Sequence, residues 1–103
     1  MFKQQEEQKQ TMIKHQFAIF DMKAKLWSDP FYSVSIGAAT RQFSDLANDL
    51  QHPIGQHPED YALYQIGEWD AFSGDFFGYE TKTSLGIAAD FKKNPVNNEE
   101  TQQ

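Results

Sequence analysis

The sequence predicts an α+β fold, in which one amphipathic helix packs on a small, mainly antiparallel sheet of three to five strands. The chain has 103 residues and 39% hydrophobic content, enough for a single small core. Apolar residues in a central segment recur at steps of three and four, as in a helix, and segments rich in β-branched and aromatic residues flank it. We predict one domain over residues 12–93, with flexible polar tails at 1–11 and 94–103.

The first predicted strand is the segment MIKHQFAIF, residues 12–20. It is too short and too apolar on both sides for a typical surface helix. Because side chains alternate along a strand, one face carries Ile13, His15, Phe17 and Ile19, and we predict that this face meets the core. The other face carries the remaining residues of the segment: Met12, Lys14, Gln16, Ala18 and Phe20.

A turn is predicted over residues 21–25, followed by the extended segment LWSDPFYSV. Pro30 disfavours helical conformation in the residue before it and cannot donate a hydrogen bond to a central strand. We therefore expect an edge strand or a loop here.

The predicted helix is the segment IGAATRQFSDLANDL, with Ser35 as its N-cap. We expect it to end near Asp49 or Leu50, because the following segment contains two X-Pro steps and a glycine. The apolar stripe predicted to face the sheet consists of Ile36, Ala39, Phe43, Leu46, Ala47 and Leu50. The opposite face, predicted to be solvated, carries Arg41, Ser44, Asp45 and Asn48.

The segment after the helix, HPIGQHPEDY, is predicted to be a rigid connecting loop in which Gly55 supplies a positive φ. The segment YALYQIGEWD then predicts a buried strand, and AFSGD a turn into a partner strand around FFGYE. The sequence leaves open whether TKTSLGIAADF adds a short strand or packs as a loop.

Composition limits the possible functions. The formal net charge is −6, which is opposite to the basic surface typical of a strong nucleic-acid binder. The charge is uneven, because residues 1–25 sum to +2 and the remainder to −8. This distribution permits a local basic patch near the first strand, with weak and strongly salt-dependent binding to phosphates. No apolar run suits a membrane span or a signal peptide, so we expect no membrane association.

Candidate catalytic and metal-binding groups are sparse. The chain has no cysteine, which excludes disulfides and thiolate zinc sites. His52 and His57, with Glu59 and Asp60, could in principle hold a metal, but structural sites normally draw four ligands from more than one element. A rigid His-Pro loop explains these residues better. Nothing resembles a nucleophile elbow or a phosphate-binding glycine loop, so we predict no enzyme, metal or cofactor.

The aromatic content, 15% of residues, exceeds what so small a core needs. Single-stranded DNA-binding proteins stack bases on aromatic rings of a sheet while nearby lysines neutralise phosphates. Such a platform could form around the first strand from Lys14, Phe20, Lys23, Lys25, Trp27 and Phe31. The alternative is that these rings pack a second face of the sheet or a homodimer interface.

From Arg41 onward the segment RQFSDLANDLQHPIGQHPEDYALYQIGEWD resembles a phage protein family. The pattern, FSDL-x-ND, then HP-x-G-x-HPEDY, then L-x-x-IG-x-W-D, spans residues 43–70, and a weaker resemblance covers residues 16–72. It is similar to the small non-structural protein encoded by the fifth open reading frame of gokushovirus-type microviruses. The resemblance implies a DNA-binding protein of genome replication in phages with single-stranded DNA genomes, absent from the virion and acting in the host bacterial cytoplasm.

The resulting hypothesis is a non-enzymatic protein that binds single-stranded DNA weakly and without sequence specificity, as a monomer or a homodimer. The resemblance identifies neither catalytic residues nor DNA contacts. The alternative is an acidic protein-interaction factor that acts on phage or host replication or packaging proteins without binding DNA. The DNA-binding hypothesis assigns its contacts to Lys14, Phe20, Lys23, Lys25, Trp27, Phe31 and Arg41.

Overall fold

The computed structural model describes residues 10–93, so the predicted tails lie outside the described residues, except for residues 10 and 11, which belong to no helix or strand. The described part contains no helix long and apolar enough to cross a membrane. Its elements in chain order are β1 (Ile13–Asp21), β2 (Leu26–Trp27), β3 (Phe31–Ser33), α1 (Ile36–Ala47), α2 (Pro53–Gln56), a 3₁₀ turn (Pro58–Asp60), β4 (Tyr61–Asp70), β5 (Phe76–Ile87) and a second 3₁₀ turn (Ala88–Phe91).

The strands form a five-stranded antiparallel sheet with the order β2-β1-β4-β5, and β3 also pairs with β1. β2 pairs with the end of β1 at Phe20 and Asp21, whereas β3 pairs with its earlier part at residues 15–17. Pro30 lies between these two short strands. The predicted α+β fold and the predicted edge position of this segment are therefore confirmed.

Helix α1 covers one face of the sheet, and the core lies between them. Phe17 of β1 and Leu63 of β4 are fully buried against Ala39, Phe43 and Ala47 of the helix. The predicted core face of β1 is thus confirmed at Phe17, and Ile19 packs at the edge of the same cluster. Ile13, which was predicted on this face too, is exposed because it pairs with the far end of β4, beyond the core cluster.

Helix α1 begins as predicted and ends earlier than predicted. The Ala38 N–H donates to the Ser35 hydroxyl at 3.0 Å, which confirms the N-cap. The helix ends at Ala47 because the next side chain is used as a tertiary anchor. The Asn48 amide donates to the Phe91 carbonyl at 3.0 Å and accepts from the backbone N–H of Lys93 at 2.8 Å. The prediction of a solvated Asn48 is therefore wrong.

The ends of the predicted apolar stripe also differ from expectation. Ile36 and Leu50 are exposed, whereas Leu46 packs against the core. Ile36 is the first residue of the helix and Leu50 lies past its end, so neither is positioned over the sheet.

The connecting loop contains the 3₁₀ turn Pro58–Asp60 and, before it, a short helix, α2, that the sequence did not indicate. His52 caps α2, since the Ile54 N–H donates to its Nδ1 at 3.1 Å. The expected positive φ at Gly55 is wrong, because within residues 10–93 the glycines with positive φ are Gly74 and Gly86. Gly55 is needed for close approach instead, because a Cβ atom there would overlap the backbone carbonyl group of Asp49.

The predicted hairpin of β4 and β5 is present, and β5 extends through Ile87. Asp70 holds the turn and the start of β1 together. One oxygen of its carboxylate accepts from the backbone N–H groups of Met12 and Phe72, both at 3.0 Å. These hydrogen bonds, first that from Met12, lower the pKa of Asp70 below its usual value.

The close approach at Gly55 predicts a strong response to one methyl group. We expect Gly55→Ala to lower the free energy of unfolding by about 1–3 kcal/mol, because the backbone around Asp49 must shift. Gly37→Ala is the matched control, since an added Cβ meets only the Ser35 hydroxyl at 3.8 Å. Helix propensity should make that variant more stable by up to about 1 kcal/mol. Urea titrations measure both, and equal effects would contradict the packing argument.

The Asp70 hydrogen bonds predict a pH-dependent contribution to stability. A carboxyl with a lowered pKa in the folded state stabilises the fold above its unfolded pKa, about 3.9, and loses this contribution as the pH falls through the folded value. Asp70→Asn should therefore have a lower Tm than the natural chain at neutral pH, and the difference should shrink below about pH 4. Thermal melts across this range check it, with Asp75→Asn of the same turn as control. A difference independent of pH would refute the assignment.

Candidate nucleic-acid interface

Within residues 10–93, no helix lies over the face of the sheet opposite α1, and we call this face the helix-free face. On β1 the residues of the helix-free face are Lys14, Gln16, Ala18 and Phe20. Residues that are paired across two strands lie on the same face of a sheet, so the pairing of the strands identifies the other members. The partners of these β1 residues across the strands, and the partners of those on β5, also lie on this face: Trp27, Tyr32, Ala62, Tyr64, Gly67, Trp69, Phe76, Gly78, Ser84 and Ile87.

A groove of about 460 Å³ lies at one end of this face and is open to solvent. The Lys14 ammonium lies 4.9 Å from the centre of the Tyr32 ring, within range of a cation–π contact. We call this the aromatic groove, and its lining residues are Lys14, Gln16, Pro30, Tyr32, Trp69 and Phe76.

The floor of the aromatic groove depends on paired glycines. Gly67 of β4 lies opposite Gly78 of β5, two pairs along from Trp69 and Phe76 and on the same face. A Cβ atom would come within 3.1 Å of the Phe76 ring at Gly67 and within 3.2 Å of it at Gly78. The ring therefore rests on bare backbone, while 52% of the Phe76 surface stays exposed.

Aromatic side chains at the other end of the helix-free face contact one another. The Trp27 ring centre lies 4.7 Å from that of Phe20 and 5.0 Å from that of Tyr64. The Lys82 ammonium approaches to 5.8 Å from the Trp27 ring centre. We call Phe20, Trp27, Tyr64 and Lys82 the Trp27 cluster. Beside it, Ala18 and Ala62 of the same face are buried.

The charge on the helix-free face differs from that of the whole chain. The formal net charge of the protein is −6. Within residues 10–93, however, the paired positions of this face include Lys14 and no carboxylate. On β5, Lys82 reaches the face, and Glu80, which alternates with Gly78 and Lys82, lies on the same side of the strand. The face is therefore aromatic and carries more lysine than carboxylate within an acidic protein.

Some of the residues that we predicted from the sequence to contact DNA lie together on one face of the sheet. Lys14, Phe20 and Trp27 lie on the helix-free face. Lys23 and Lys25 are exposed in the turn between β1 and β2, next to the Trp27 cluster.

Two of the proposed residues do not belong to this face. Phe31 packs on the other side of the sheet, with its ring 5.9 Å from that of Phe17, and it contributes to the core. Arg41 is exposed on α1, the helix that covers the opposite face.

Sequence reasoning missed several members of the face, namely Tyr32, Tyr64, Trp69, Phe76 and Lys82. Tyr32 and Phe31 are adjacent in β3, so their side chains lie on opposite faces of the sheet. The pairing of β3 with β1 decides which of the two rings lies on the helix-free face. The sequence did contain one indication of the groove. Gly67 and Gly78 each lie two residues from an aromatic residue, Trp69 and Phe76, and a glycine in a strand leaves room for a neighbouring ring.

Polar groups on the helix-covered face join β4 to β5. The Gln65 amide donates to the Tyr79 hydroxyl at 3.2 Å, and that hydroxyl donates to the Glu68 carboxylate at 3.0 Å. Burial first, and then the Glu68 carboxylate, raise the pKa of Tyr79. The phenol therefore stays a hydrogen-bond donor at neutral pH.

The metal-binding cluster considered from the sequence is partly assembled. Ligand atoms of His57, Glu59 and Asp60 lie within 4.8 Å of one another at the surface. His52 is not part of this group, because its ring nitrogen caps α2. A surface group of this kind forms without a metal in many proteins.

Comparison with known proteins identifies a family. A family model described as Phage ORF5 protein matches residues 14–91, which is most of the chain and contains every residue of the aromatic groove and of the Trp27 cluster. No curated protein and no solved structure matches the chain.

Proposed function

The chain belongs to the Phage ORF5 protein family, and on this premise we propose that it is a non-enzymatic phage protein that binds single-stranded DNA through its helix-free face. We place this activity in phage genome replication, or in the switch to single-strand synthesis, in the host bacterial cytoplasm. The resemblance to gokushovirus-type microviruses, whose genomes are single-stranded DNA, supports the choice of ligand.

The observation that carries the proposal is the composition of the helix-free face. Exposed aromatic rings lie there beside Lys14 and Lys82, and within residues 10–93 the strand positions of the face carry one carboxylate, that of Glu80. Bases that are not paired stack on such rings, each contributing about 1–3 kcal/mol. The lysines neutralise phosphates and release counterions.

The same surface favours a single strand over a duplex. In a duplex the base faces are stacked on one another, so they cannot reach Phe76 or Trp27 without unstacking. Duplex binding would depend on the lysines alone, and the net charge of −6 opposes it. We therefore expect weak binding that lacks sequence specificity over most of the site and weakens steeply with salt.

A second candidate function has its own supporting observation. Phe72, Phe76 and Phe77 are each more than half exposed around a single hairpin. Exposed apolar patches often mark protein interfaces. In this alternative the chain acts on phage or host replication or packaging proteins, and its binding is insensitive to salt.

Salt dependence separates the candidates. We expect fluorescence anisotropy to show a labelled single-stranded oligonucleotide binding more tightly than a duplex, with log affinity falling linearly in log salt. Lys14→Gln should reduce the magnitude of that slope by about 0.7, the value of one phosphate contact on a single strand. Arg41→Gln removes the same charge from the helix side and should leave the slope unchanged.

The contrary results are equally clear. If neither oligonucleotide binds at low salt, direct DNA binding is wrong and the protein-interaction function is favoured. If both variants change the slope equally, binding depends on net charge and not on the helix-free face.

A further inference from the structure

We propose that the aromatic groove is a pocket for a single nucleobase, and that the Gln16 amide makes it prefer adenine. This inference rests on the proposed function, since it names the part of the helix-free face where the strand is read. It predicts one selective position within an otherwise unspecific site.

The first argument is the availability of the rings. The ring–ring contacts within residues 10–93 lie in the Trp27 cluster and in the core, and none of them involves Tyr32, Trp69 or Phe76. Rings that already contact one another, such as Trp27 and Phe20, offer less free surface to a base. The groove therefore provides aromatic surface that a base can cover without separating an existing pair.

The second argument is the way Phe76 is supported. Its ring rests against the backbone at Gly67 and Gly78, so one side packs on the sheet and the other faces the groove. A supported ring loses little conformational entropy when a base stacks on it. With Trp69 directly opposite on β4, the groove has adjoining aromatic walls, and its volume of about 460 Å³ accommodates a nucleotide.

The third argument concerns hydrogen bonding. Gln16 lines the groove, half-buried, between Tyr32 on β3 and Gly67 on β4. Gly67 has no side chain of its own and the Phe76 ring lies over it, so Gln16 borders the ring on which a base would stack. An amide presents a donor and an acceptor side by side, which match the N7 acceptor and the N6 amino donor of adenine. On the edge that corresponds to N7 of a purine, thymine offers the O4 acceptor and a methyl group but no donor, so the preference requires that the base enter with this edge towards Gln16.

The fourth argument is charge at the rim. The Lys14 ammonium lies over the Tyr32 ring and lines the same groove as Gln16. A base inserted against Phe76 brings its own phosphate to the edge of the pocket. Lys14 is the cation placed to meet that phosphate, so stacking, base recognition and charge neutralisation converge on one nucleotide.

The experiment uses the two tryptophans of the chain, Trp27 and Trp69. Trp27→Phe leaves Trp69 as the indole that reports on the groove. We expect oligothymidylate with one central adenine to quench Trp69 fluorescence and to bind about fivefold to tenfold more tightly than oligothymidylate alone, as one bidentate contact would give. In Trp69→Phe the remaining indole reports on the Trp27 cluster, and the amplitude of its quenching should be the same for both oligonucleotides, because the central adenine binds in the groove.

Matched variants locate the effect. Phe76 and Phe77 are adjacent and equally exposed, at 52% and 54%, but they lie on opposite faces of β5. Phe76→Leu should weaken binding of the adenine-containing strand about tenfold, within the range for loss of one stacked base, whereas Phe77→Leu should not. Gln16→Leu should abolish the adenine preference and leave oligothymidylate affinity within about twofold, because stacking needs no amide. Thermal melts establish that each variant is folded.

The outcomes separate the two proposals. If the natural chain binds both oligonucleotides equally and Phe76→Leu behaves as Phe77→Leu does, the pocket is wrong while single-stranded DNA binding stands. If neither oligonucleotide binds at low salt, both proposals fail. If adenine is preferred but Gln16→Leu keeps the preference, the selectivity arises from stacking area and the role of Gln16 is wrong.

Discussion

The structure depends on the antiparallel pairing of β1 with β4, which joins Ile13–Asp21 to Tyr61–Asp70 along their whole lengths. Because side chains alternate, β1 sends Phe17 into the core and Phe20 to the opposite face. β1 also pairs with β2 and β3, and β4 with β5, so every other strand is positioned by this central pair. The core and the proposed binding face are therefore two sides of the same hydrogen-bonded ladder.

One irregularity in that pairing gives the helix-free face its composition. The register of β1 with β4 shifts at Ile66, which has no partner on β1 and forms a β-bulge. On the other side of β4, residues 79–82 of β5 have no partner at this point either. Tyr64 and Trp69 are separated by an odd number of positions, so a regular strand would place them on opposite faces. The bulge brings both to the same face. Without it Trp69 would point towards the helix side, and Phe76, its partner on β5, would follow.

This dependence explains what could be predicted from the sequence and what could not. Local patterns were sufficient for the alternation of β1, the Ser35 cap, the edge position of the Pro30 segment and the β4–β5 hairpin. The end of α1 depends on Asn48 bonding to Phe91, which is 43 residues away in sequence. The placement of Phe31 in the core and Tyr32 on the open face depends on which residue of β3 opposes Gln16. Tertiary pairing decides both, and the bulge moreover reverses the alternation that sequence reasoning relies on.

An uncovered aromatic face costs stability, because rings such as Trp27 and Phe76 lose less water-exposed area than they would in a core. A single helix can cover one side of a small sheet, so the chain could have kept the other side polar at little structural cost. Lys14 and Lys82 instead lie over rings, and the carboxylates of Glu68 and Asp70 lie on the other side of the sheet. This arrangement limits the attraction of a ligand that carries flat apolar groups and regularly spaced negative charges to a single face of the protein. The negative charge of the rest of the protein repels such a ligand elsewhere. Contact through that face alone would be brief and reversible, as the proposed role on a strand that is copied or packaged requires.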